Sequence, residues 1–187
     1  MRINDDFLFE KLEEVSKEPP FVVSDMNGEH RVICLTEEPE ISSYLYREEI
    51  IPKEIYTLNK WLRQHREDYV RLYHGTSAKI SVKEQGLLTT SMKRRRSYQS
   101  ESGYVYLSLY PSSARTFGEM GYTYDDVVVY AVDVKIKELR PDTDQLYNKR
   151  MYMNEEIGNT LADSLIFGHG ARIIRALKPW EIKLTDY

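Results

Sequence analysis

Apolar residues recur along this chain with two different periods, and the change from one to the other divides it. In DDFLFEKLEEVSKEPP, Leu8, Leu12 and Val15 fall at i, i+4 and i+7, the spacing of one helical face, until Pro19-Pro20 ends it. HRVICL reads as a strand after the turn signal Asn27-Gly28, and Pro52 starts a second helix whose Ile55, Leu58 and Leu62 share a face. From Tyr69 the pattern becomes strands separated by short helices. YVRLYH, GYVYLSL and DVVVYAVDV are rich in Val, Tyr and Leu, and the last is apolar on both faces over most of its length, as a central strand is. Pro111-Ser112-Ser113 marks a helix start before ARTFGEM, and ARIIRALKPWEIKL reads as a strand, a Pro-marked turn and a final short strand. The succession predicts an α+β fold with a mainly antiparallel or mixed sheet. Residues 1–68 form an N-terminal helix-and-strand extension or small subdomain, and residues 69–187 the main domain. A doubly wound nucleotide fold fits poorly, because no strand is followed by G-x-G-x-x-G and a helix.

Composition narrows the class. With 187 residues, 41% of them hydrophobic, the chain can bury the core of one domain. No uncharged apolar run approaches the roughly 20 residues of a membrane span, and the charged start MRINDD lacks the apolar stretch of a secretion signal, so the expectation is a soluble, cytoplasmic protein with no membrane partner. The single Cys34 excludes an internal disulfide, and four scattered histidines show no zinc-site spacing, so no metal is expected. Residues 1–68 carry 16 acidic and 9 basic side chains against 14 and 17 in the remainder, which makes the C-terminal part mildly cationic. Much of that excess is the run Lys93, Arg94, Arg95, Arg96, which suits either a solvated loop or contact with a phosphate-bearing ligand or nucleic acid.

One stretch carries chemistry. In VRLYHGTSAKISVKEQGLLTT a histidine ends an apolar strand and a glycine follows it. A ligand can then approach the backbone at Gly75 while the imidazole of His74 hydrogen-bonds a hydroxyl, although a histidine that merely caps a strand has the same local pattern.

LYHGTS, then an apolar residue and GLL, then YVYLS, an Ala-containing helix and VVVYAVDV together resemble the ADP-ribosyltransferase superfamily, in the branch with a His-Tyr-Glu signature that includes diphtheria toxin and the poly(ADP-ribose) polymerases. They also resemble the RNA 2'-phosphotransferases. The likeness spans about residues 69–184 and implies the superfamily's split sheet with short flanking helices. It further implies NAD as substrate, with His74 on the ribose hydroxyls, Gly75 offering backbone hydrogen bonds to the nicotinamide amide, and Thr76 supporting the turn. Tyr106 matches the tyrosine that stacks on nicotinamide, and the phosphotransferases usually have His there, which favours the transferases. Tyr104, Ser108 at the strand end and Arg96 from the basic run join the expected binding set.

The resemblance leaves one role open. The family supplies a carboxylate near the ribose from a late strand or the loop before it, but HGARIIRALKPWEI places Ala171 where the polymerases would have Glu. Upstream, MNEEIGNTLADSLIFGHG offers Asp163 first, because SLIF reads as the strand that follows the catalytic acid, then Glu156, with Glu155 behind them and His169 more remote. Asp142 and Asp144 in PDTDQ read as a turn. Three functions follow as expectations: a mono-ADP-ribosyltransferase acting on a macromolecule, a protein ahead of a nucleic acid; an RNA 2'-phosphotransferase; and an inactive NAD- or ADP-ribose-binding module. A stand-alone transferase of this size is also in keeping with a bacterial or phage effector, by analogy alone.

Overall fold

The strand that carries His74 is the axis of the sheet, and the expectation that it ends at the histidine is corrected: it stays paired through Gly75 and Thr76 to Ser77. A computed structural model of the chain describes residues 22–24, 31–34, 52–89, 101–121, 126–153 and 157–187. Strand β1 spans Val22–Ser24, β2 Arg31–Cys34, β3 Tyr69–Ser77 and β4 Val105–Ser108. They are followed by β5 at Val127–Lys135, β6 at Arg140–Pro141, β7 at Gly170–Ile173 and β8 at Ile182–Leu184. One edge of β3 pairs antiparallel with β5 through nine registers, Tyr69↔Lys135 to Ser77↔Val127. The other edge is divided. Its first half pairs parallel with β2, and farther along it meets β4 only at Tyr73↔Ser108. β4 then pairs with β7, and β7 with β6, so the sheet forks at Tyr73 into a β5-side arm and a β4–β7–β6 arm.

Alternation along β5 explains its two-sided apolar pattern. Tyr130, Val132 and Val134 join the main core, which gathers Val70 and Leu72 of β3, Val105 and Leu107 of β4, Ala171 and Ile173 of β7, and helical Leu58, Leu146 and Leu165. Val129 and Ala131 point the other way and pack with Tyr73 and Ala114 in a smaller cluster. Ala114 belongs to helix α3, Pro111–Gly121, which lies on β3. A Cβ at Gly75 would stand 2.0 Å from the Ala114 carbonyl oxygen, so this helix seat requires glycine.

Helix α1, Pro52–Gln64, turns Leu58, Trp61 and Leu62 into the main core with Ile55 packed beside them, as the shared face anticipates. It contacts helix α5, Leu161–Phe167, and β2 extends the main sheet, so the described part of residues 52–68 shares the main core. Helix α2 is the short Val82–Gln85, and α4 is Thr143–Met153. The reading of SLIF as a strand is corrected: Ser164 to Phe167 are the last turn of α5. Thr160 caps that helix by accepting a hydrogen bond from the Asp163 amide, and Asp163 Oδ2 accepts from the Thr160 amide at 2.8 Å. This reciprocal cap satisfies two amides that a strand would have paired elsewhere. The candidate helix over residues 5–20 lies outside the described residues, and among those described no helix is long and apolar enough to cross a membrane.

Candidate functional site

The fork is built around His74. Continuing the β3–β4 ladder beyond Tyr73↔Ser108 would set Gly75 opposite Tyr106, but the pairing stops after one register. The Tyr106 carbonyl, left over by the ladder, accepts instead from His74 Nδ1 at 2.7 Å. A carbonyl only accepts, so Nδ1 carries hydrogen, and in the neutral ring Nε2 holds the lone pair. His74 is partly exposed and shares its sheet face with its register partner Tyr130, while Gly75 faces α3 on the other side. Thr76, expected to support a turn, is instead buried within β3 and paired with Val128, and Ser108 is buried at the end of β4 opposite Tyr73.

Tyr106 is part of a second layer of contacts. Its hydroxyl donates to Asp144 Oδ2 at 2.5 Å, and the same oxygen accepts from the Glu101 amide at 3.1 Å. Glu101 Oε2 in turn accepts from Arg172 at 2.9 Å. The Arg172 guanidinium carbon lies 4.0 Å from the centre of the Tyr104 ring, which meets Tyr106 edge-on at 6.3 Å. Strand register accounts for the grouping: Tyr106 pairs with Arg172 across β4 and β7, so both project from one face. Burial, reinforced by the Asp144 hydrogen bond, pushes the Tyr106 phenol well above its usual range. Burial works against the Arg172 charge, yet the contacts with Tyr106 and Glu101 outweigh it and raise the guanidinium's pKa.

Asp142 and Asp144 therefore do more than turn the chain. Asp142 is buried and caps α4, its Oδ1 accepting from the Gln145 amide at 3.1 Å, while its own amide donates to Ser164 Oγ at 2.7 Å. Ser164 passes a hydrogen bond on to the Gly170 carbonyl at 2.7 Å, tying α4 and α5 to β7. Burial raises the Asp142 carboxyl to about 6. Asp144 follows in the first turn of α4, and that geometry delivers it to Tyr106.

The other expected residues are placed less centrally. Asp163 is buried with its carboxylate engaged in the Thr160 cap, which assigns it a structural task; among the described residues it is Asp144 that is brought to Tyr106. Ala171 is fully buried opposite Leu107 and offers no polar group. His169 adopts a positive φ of 51°, its ring edge-on to Tyr110 at 5.3 Å. Burial, with help from the Lys149 charge, lowers its pKa to about 4, so it is neutral at neutral pH. Glu155, Glu156 and the run that includes Arg96 lie outside the described residues. Among those described, no group of three or more His, Cys, Asp or Glu side chains is arranged to hold a metal ion.

The members of the cluster that the strand pattern did not single out, Glu101, Asp144 and Arg172, left partial signals. D-T-D-Q is a capping-box spacing, with Asp142 as cap and Gln145 three residues on. Arg172 breaks an otherwise apolar strand, which marks the face it takes. The chain matches no protein-family model and no curated protein.

Proposed function

We propose that the protein is an NAD-dependent mono-ADP-ribosyltransferase that modifies a macromolecular acceptor, a protein ahead of a nucleic acid, and releases nicotinamide. The observation that carries this reading is the fork itself, where the His74 ring is fixed by the Tyr106 carbonyl beside the glycine that seats α3. A His-Gly pair where the sheet divides suits the resemblance to the superfamily, with the strand continuing beyond the pair to Ser77.

His74 and the Tyr106 cluster, joined through the Tyr106 carbonyl, carry groups that suit the chemistry. Cleavage of the nicotinamide–ribose bond builds positive charge on the ribose, so a site gains by fixing that sugar and stacking the departing ring. The hydrogen bond to the Tyr106 carbonyl fixes the His74 ring with its proton on Nδ1, the tautomer whose Nε2 is the acceptor type a ribose hydroxyl needs. Tyr104 and Tyr106 supply aromatic surface, and Glu101 and Asp144 supply negative charge beside it. The buried Ala171 favours a second reading, a module that binds NAD or ADP-ribose without turnover.

Incubation of the protein with NAD labelled in its adenylate half, alone and with a cell lysate, tests these readings. Released nicotinamide with label on a macromolecule supports the transferase, and binding without release supports the module. Removal of a 2'-phosphate from RNA in the absence of both outcomes would move the assignment to phosphotransfer.

A further inference from the structure

The cluster around Tyr106 is organised for charge of one sign. Among the described residues, three carboxylates, those of Glu101, Asp142 and Asp144, outnumber the guanidinium of Arg172, which also hydrogen-bonds the Tyr106 hydroxyl. The Tyr104 ring already has that cation over it, at 4.0 Å. Tyr106, partly exposed on the neighbouring position of the same face, donates its hydroxyl to a carboxylate. A phenol that donates to a carboxylate pushes electron density into its ring and strengthens the negative potential of the ring face. An anion at this place would meet two or three carboxylates; a flat cation would meet an enriched aromatic face.

We propose that Asp144 is a positioning and specificity residue: through its hydrogen bond to Tyr106 it fixes that ring and tunes it to bind a planar cationic heteroaromatic ring in preference to its neutral counterpart. This rests on the transferase reading insofar as the natural ligand is the pyridinium of NAD, whose positive charge vanishes when nicotinamide leaves. Asp144 then helps to hold the substrate and to let the product go. The supporting frame is local to the structure: the Asp142 cap starts α4, and the first turn of α4 carries Asp144 to the phenol.

The test measures affinities of the full chain for NAD, for the cation 1-methylnicotinamide and for neutral nicotinamide, in the parent and in Asp144→Asn, Asp144→Glu and Tyr106→Phe. Asp144→Asn and Tyr106→Phe are each expected to weaken both cations by about tenfold, the scale of a partly desolvated cation–π contact, with nicotinamide changed by less than about twofold. Asp144→Glu restores the charge and recovers part of the preference, which a merely structural role for Asp144 does not predict. The 13Cζ resonance of Tyr106, identified by its absence in Tyr106→Phe, should move in Asp144→Asn, and melting curves confirm that each variant is folded. Equal losses for cation and neutral ring, or no losses, would overturn the proposal while leaving the transferase reading standing. If the parent binds 1-methylnicotinamide with the Asp144-dependent preference but not NAD, the transferase reading fails and the proposal holds. A parent that binds none of the three overturns both.

Discussion

His74 and Tyr106 are joined side chain to main chain: the imidazole Nδ1 donates to a carbonyl that the β3–β4 ladder leaves unused, at 2.7 Å. The histidine thus stands where two sheet arms part, and its orientation is a property of the fold. His74→Ala is expected to reduce nicotinamide release by at least tenfold, roughly 1.4 kcal/mol in the barrier, with the melting temperature little changed because the ring is only partly buried. Unaltered release from a folded variant would remove His74 from the chemistry.

Gly75 is expected to resist every side chain. A methyl group there would approach the Ala114 carbonyl oxygen to 2.0 Å, a main-chain atom that yields only if α3 lifts from β3. Gly75→Ala should cost about 1–3 kcal/mol, the usual range for overpacking, measured by denaturant unfolding. A variant as stable as the parent would show that α3 is not seated as described.

For Asp163 the expectation is the reverse of a catalytic residue's. Asp163→Ala removes the carboxylate that accepts from the Thr160 amide at 2.8 Å and should cost roughly 1 kcal/mol of stability. Nicotinamide release per folded molecule should stay within about twofold of the parent, well short of the tenfold that marks a catalytic loss. A large fall in release without loss of stability would return the residue to the active site.

Two buried groups should oppose each other in acid. Asp142 titrates at about 6 in the folded chain, above its ordinary 3.8, so the stability it contributes is full below about 4 and is lost as pH rises through 6. His169 titrates at about 4, below its ordinary 6.5, so its contribution is present above 6.5 and is lost as pH falls through 4. Between about pH 4 and 6 the two trends run in opposite directions. Asp142→Asn keeps a capping oxygen and removes one of them. Relative to the parent it should gain stability as pH rises from 4 to 7, by up to about 3 kcal/mol from the conversion of pKa shift to free energy. A constant difference across that range would show that Asp142 does not titrate there.

The strands and the α1 face were legible because each depends on local periodicity. β3, β4 and β5 fall on the Val- and Tyr-rich runs, and Ile55, Leu58 and Leu62 lie inward as their spacing requires. The α5 error has a clear cause. Ser164 to Phe167 are apolar enough for a buried strand, and four residues are too few for period to discriminate; T-L-A-D, a capping-box spacing, was the better signal. The contact of Asp144 with Tyr106 escaped for another reason. Asp144 reaches Tyr106 across 38 positions of sequence, through the placement of α4 against the sheet, and no local pattern encodes that distance.

The unequal bonding of β3 also sets an order of opening. Nine registers bind it to β5, and one binds it to β4. Amide hydrogens along the β3–β5 ladder should therefore exchange with solvent only when the whole chain unfolds. Those of β4 can exchange through a smaller event in which its arm swings away at Tyr73 while β5 keeps its grip. The cost of that event lies in the side chains and in the fork: it would uncover Val105 and Leu107, which share the core with Val70 and Leu72, and break the hydrogen bond from His74 to the Tyr106 carbonyl, while the β3–β5 ladder stays paired.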